Sequence, residues 1–126
     1  MRTPIIILLL TITFGSIFYI VRVIFSEYYE YTHKDIAYYL LTPSELANMT
    51  EFCLDKPVFI YSAGDGNKPL YTTMNCTIPK NVIENHITDI GFRFNDYDEN
   101  VKGDTEIEIL TNDIGDMVTS ITLFIY

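Results

Sequence analysis

The sequence predicts an α+β domain behind an N-terminal membrane-spanning helix, with two short helices leading into an antiparallel sheet of about five strands that the helices cover on one face. Three observations predict this. No charged residue stands between Thr3 and Val21. From Pro57 onward the hydrophobic spacing changes from helical to alternating. Prolines at 57, 69 and 79 fall at the margins of the alternating runs, where a missing backbone donor is tolerated. With 126 residues there is room for one small core and not for two.

Residues 4–25 form the first element. As a helix, these 22 residues extend about 33 Å, matching a hydrocarbon core of about 30 Å. A cleaved signal would have a shorter apolar run ending in small residues. The nearest such site, Thr13-Phe14-Gly15, would leave the apolar run 17–25 at the new N-terminus, so residues 1–26 are expected to be a signal anchor and residues 27–126 an exported domain. Arg22 lies about one turn from the far end, where a long side chain reaches the headgroups. Tyr28, Tyr29 and Tyr31 follow, and they suit either the interfacial aromatic belt or packing on the domain.

Residues 26–32 read as a linker. In residues 34–41, Ile36, Ala37, Leu40 and Leu41 mark a short amphipathic helix. Thr42-Pro43-Ser44-Glu45 then reads as a capping box, with Thr42 as N-cap, Pro43 as first helical residue and Glu45 reaching back, for a helix over 43–52. Val58–Tyr61 and Leu70–Cys76 read as a hairpin around Gly64-Asp65-Gly66-Asn67. Residues 79–86 fit a loop or a short helix. The alternation of Ile90, Phe92 and Phe94 predicts a third strand, the run 95–100 an acidic hairpin tip, and residues 106–110 and 118–125 two closing strands.

Charge divides as sharply as hydropathy does. The chain has 17 acidic and 8 basic residues, and all but Arg2 and Arg22 lie in 27–126, which therefore holds 6 positive and all 17 negative charges for a net of −11. Such a domain does not bind nucleic acid, whose phosphates demand a basic surface. Cys53 and Cys76 are the only cysteines. In an exported domain they read as one disulfide, closing a loop worth about 3.4 kcal/mol, the alternative being two reduced, buried thiols. Asn48-Met49-Thr50 and Asn75-Cys76-Thr77 fit the N-glycosylation pattern, which bears only on a eukaryotic or viral source.

Catalytic machinery is hard to find. His33 and His86 have no metal-ligand spacing, and Ser62 lacks the flanking glycines of a nucleophile elbow. Asp96, Asp98 and Asn100 alternate as calcium ligands do, but Val101 and Ile107 stand where the loop pattern needs Gly and Glu. The expectation is therefore no enzyme, no metal and no cofactor. What remains is an acidic surface, with Asp96, Asp98, Glu99, Asp104 and Glu106 as contacts for a basic protein partner and Tyr97 as aromatic anchor; Asp104, Glu106 and Glu108 would share one strand face. In size, placement and acidity this arrangement resembles the small anchored immunity proteins with which bacteria protect their own periplasm, an analogy without a diagnostic motif. It implies an inner-membrane protein with its domain in the periplasm, blocking a basic toxin or cell-wall enzyme. The alternative is a structural accessory subunit of a membrane complex, for which Gly15 and Ser16 would permit close helix approach.

Overall fold

In the computed structural model, residues 2–95 and 99–126 are described. The chain runs α1 (Arg2–Ile24), β1 (Tyr29–Thr32), α2 (Ile36–Leu41), α3 (Ser44–Met49), a 3-10 turn (Thr50–Phe52), β2 (Val58–Ser62), β3 (Leu70–Pro79), α4 (Lys80–Asp89), β4 (Arg93–Phe94), β5 (Asn100–Lys102), β6 (Thr105–Thr111) and β7 (Met117–Ile125). The α+β class holds. The sheet has seven strands where about five were expected, in the order β1-β2-β3-β7-β6-β5-β4, every neighbouring pair antiparallel.

Alternation decides the two faces of the sheet. One row, Tyr31, Phe59, Met74, Ile121 and Ile109, crosses five strands on the inner face, and its first four members are buried. The next row, Glu30, Ile60, Thr73, Thr122 and Glu108, lies on the outer face. There the Thr73 and Thr122 hydroxyls hydrogen-bond at 2.8 Å. Leu46 and Met49 of α3 and Ile83 and Ile87 of α4 complete the core from the helical side. Cys53 and Cys76 stand with Sγ atoms 2.08 Å apart and Cα atoms 5.7 Å apart, fastening the turn after α3 to the middle of β3.

Four expectations are corrected. First, the segment read as a linker contains β1, because Tyr29 and Tyr31 face inward and Glu30 outward; Tyr31 is buried and only Tyr28 of the three tyrosines is exposed. Second, the capping box does not form. Pro43 is the N-cap, its carbonyl accepting from Ala47, while the Thr42 hydroxyl pairs with that of Tyr31 and Glu45 accepts from Ser44. Third, the segment 79–86, read as a loop or a short helix, divides: Pro79 closes β3 and Lys80 begins the ten-residue helix α4.

Fourth, the alternation at Ile90, Phe92 and Phe94 is not a strand until Arg93. Gly91, at φ 104°, ends α4: its N–H donates to the Thr88 carbonyl and the N–H of Phe92 to that of Ile87. This pair of bonds is the Schellman closure, and buried Phe92 is its apolar contact. Arg93 adds its guanidinium to the carbonyls of Thr88 and Phe92.

Helix α1 does not hang from a free tether. Val23 is 2% exposed within the domain core. The Tyr61 hydroxyl donates to the Ile24 carbonyl at 2.7 Å, Ala63 N–H donates to the Ser26 carbonyl at 2.9 Å, and the hydroxyls of Tyr19 and Tyr29 meet at 3.2 Å. Among the described residues α1 is the one helix long and apolar enough to cross a membrane, and the rest of its surface is exposed.

Candidate binding face

Glu99, Asp104, Glu106 and Glu108 gather around β5 and β6, on the side of the sheet away from β1. In β6, Ile107 and Ile109 turn inward, so Glu106 and Glu108 turn to the outer face. β5 brings in Glu99. The neck of the β4–β5 hairpin is closed by Asn95, whose amide donates to the Glu99 carboxylate at 2.8 Å and whose side-chain oxygen accepts from Glu99 N–H at 2.9 Å. Tyr126 ties the group together. Its hydroxyl donates to Glu106 Oε2 at 2.9 Å and its N–H donates to the Asp104 carbonyl at 2.9 Å.

The electrostatics report the same convergence. The Tyr126 phenol is held above its ordinary value, first by the hydrogen bond to Glu106, then by desolvation, and then by the negative charges of Glu106, Glu99 and Glu108. Three carboxylates thus act on one hydroxyl. Glu99 and Glu108 are exposed and Glu106 is half-buried, so two of the three face solvent.

A cleft of about 630 Å³ opens beside this cluster, between α4 and β6. Among the described residues Glu84, Glu99, Glu106 and Glu108 border it, the last two from a strand whose carboxylates turn to the outer face, together with Lys80, which pairs with Glu84 at 3.5 Å on the exposed flank of α4. Ile87, Ile107 and Ile109 also line it, and its exposed apolar side chain is Phe94, 72% exposed. The backbone contributes as well. β5 pairs with β6 only as far as Ile107, so Ile109 and Thr111, both lining the cleft, offer backbone groups on an edge without a neighbouring strand.

Of the six residues predicted from sequence, Glu99 and Glu106 come together here with Glu108. Asp104 lies in the β5–β6 turn and not on the strand face it was expected to share, because β6 begins at Thr105; it joins the cluster through its backbone carbonyl. Asp96, Tyr97 and Asp98 lie outside the described residues. Phe94 and Tyr126 were not anticipated. The signal for Phe94 was available, since Gly91 ends the helix and leaves the following aromatic residues to be placed singly; nothing local marked Tyr126, whose role depends on its register opposite Asp104 and Glu106.

Elsewhere, Ser62 is buried with its hydroxyl accepting from Gly64 N–H at 3.4 Å. His86 packs edge-on to Phe52 with a buried Nε2 that has no hydrogen-bond partner. Among the described residues no three His, Cys, Asp or Glu side chains group as metal ligands would. Compared with protein-family models, with curated proteins and with solved structures, the chain matches none.

Proposed function

We propose that this is a single-pass membrane protein whose domain faces the extracytoplasmic space, in a bacterium the periplasm, and captures a basic protein partner through its acidic face. The concrete form is an immunity-type inhibitor that occludes a basic toxin or cell-wall-acting enzyme. One observation carries the reading: Glu99, Glu106 and Glu108 converge on Tyr126 beside a concave, negatively lined cleft with exposed Phe94 at its wall. Charge of one sign at a concavity steers an oppositely charged partner, and an exposed aromatic ring at its rim supplies the desolvated contact that charges alone do not. The helix α1 supports the anchor by length and composition. The cysteine pair supports an oxidising compartment.

The test uses the full-length protein in neutral-detergent micelles as bait for secreted basic proteins, at low and at high salt. The expected partner is released by salt and bound on the order of tenfold more weakly by the Glu99→Gln/Glu106→Gln/Glu108→Gln variant. Capture that ignores both salt and the triple substitution, or a bait that retains no basic protein, would remove the reading.

A further inference from the structure

Helix α2 is apolar on the side where a water-exposed helix would be polar. Ile36, Tyr39 and Leu40 are 68%, 80% and 44% exposed, while Ala37 and Leu41 of the same helix are in the core. A single exposed apolar side chain needs no explanation, but three on a six-residue helix form a patch. Ile36 and Leu40 also share an apolar groove of about 510 Å³ with Ile12, Ser16, Tyr19 and Ile20 of α1. Those four recur at helical spacing along one side of α1. α2 therefore stands alongside α1, level with its residues 12–20, and not beyond its C-terminal end.

Depth follows from the arginines. Arg2 and Arg22 bracket 19 uncharged residues, about 28 Å of helix and close to the hydrocarbon thickness. With both arginines among headgroups, residues 12–20 lie in hydrocarbon, and Ile36 and Leu40 lie beside them. The flanking charges are of the matching sign. His33 and Lys34, just before α2, line a shallow pocket with Lys56, in a domain that has only 6 positive charges. The one nearby carboxylate in that turn, Asp35, is engaged by the N–H and hydroxyl of Thr32 at 2.7 and 3.2 Å.

We propose that α2 is an interfacial helix lying in the leaflet on the domain's side of the membrane. Ile36, Tyr39 and Leu40 sit among the acyl chains, a lipid chain fills the groove against α1, and Lys34 and Lys56 stand at the lipid phosphates. This rests on α1 spanning the membrane. It holds the β1 edge of the sheet at the bilayer, with β6 four strand spacings, roughly 19 Å, across the sheet from that edge. The acidic face is thereby kept away from anionic headgroups.

The chain has no Trp, so a single introduced Trp is the only one that emits. Three full-length variants, Tyr39→Trp, Phe14→Trp in α1 and Ile114→Trp in the exposed β6–β7 turn, are reconstituted into phosphatidylcholine–phosphatidylglycerol vesicles with brominated acyl chains. The expected result is that Phe14→Trp and Tyr39→Trp each lose about half or more of their emission, as for rings within about 5–10 Å of the headgroup boundary or deeper, while Ile114→Trp keeps its own. If Phe14→Trp is quenched and Tyr39→Trp behaves like Ile114→Trp, α2 is outside the lipid, or its groove is covered by protein, and the inference is overturned while the span stands. If Phe14→Trp is not quenched, the span itself fails and the inference fails with it.

Discussion

Tyr31 is a polar side chain sealed in the core, and its surroundings determine how the domain responds to alkali. Its ring stacks on Phe59 with centroids 5.4 Å apart, and its hydroxyl meets that of Thr42 at 2.9 Å. Burial pushes the phenol up to about 12; the Thr42 bond opposes the shift, and Tyr38 and Tyr61 add to it. A folded-state value above the unfolded one means that this stabilisation is complete below the ordinary 10.0 and is lost as pH rises from there towards 12. In that window each such tyrosine costs about 1.4 kcal/mol per pH unit. Tyr31→Phe should therefore lower stability by about 1 kcal/mol at neutral pH, through the lost hydrogen bond, and flatten the alkaline limb. Urea unfolding of the full-length protein in micelles across that pH range measures both, and an unchanged alkaline slope would contradict the assignment. From the sequence, Tyr31 fitted the membrane interface equally well. What distinguished it was the alternation with Glu30, visible in Tyr29-Glu30-Tyr31 but too short to outweigh the neighbouring span.

At the scale of elements, the strongest constraint on the helical layer is its fastening to β3. The disulfide joins Cys53 to Cys76, and two further ties flank it: Leu54 N–H donates to the Thr77 carbonyl at 2.9 Å, and Thr77 N–H donates to Asp55 Oδ1 at 2.7 Å. The Cys53→Ser/Cys76→Ser variant should lose about 3 kcal/mol, the loop-closure contribution of a cross-link of this span. Because Asp55 holds the same junction, Asp55→Ala should cost more in that background than in the parent, a coupling that a double-mutant cycle in urea resolves; additive losses would show the ties to be independent. Much of this layer was legible. The pairing of the cysteines, the β2–β3 hairpin with Gly64 at φ 72°, and the closing pair β6 and β7 all follow from residue type and spacing. Two elements were not. At 42–45 a tertiary partner, Tyr31, took the Thr42 hydroxyl that a capping box needs. At 90–94 a glycine closure outweighed a period-two pattern of three residues. The candidate face was legible in part: the alternation in β6 gave Glu106 and Glu108 and the acidic run 95–100 gave Glu99, whereas Tyr126 meets them only through strand pairing between distant parts of the chain.

At the scale of the whole molecule, anchor and domain are one packed body. Val23 contributes a buried side chain to the domain, Ile24 a carbonyl to Tyr61 and Ser26 a carbonyl to Ala63. Under the proposed span, the direction of α1 in the bilayer fixes which way β6 and its carboxylates point, because α1 and the sheet pack directly on each other. Under the proposed capture of a basic protein, a face held in this way meets its partner with less orientation left to fix on binding. The coupling is measurable as stability. A fragment beginning at Arg22 keeps Val23 and both carbonyls; one beginning at Glu27 loses all three. Burial of one valine together with hydrogen bonds to the domain should make the longer fragment more stable by about 2–3 kcal/mol, read from urea unfolding followed by near-ultraviolet circular dichroism of the tyrosines. Equal stabilities would mean that α1 only tethers the domain, and the fixed presentation of the acidic edge would then have to come from α2 at the membrane alone.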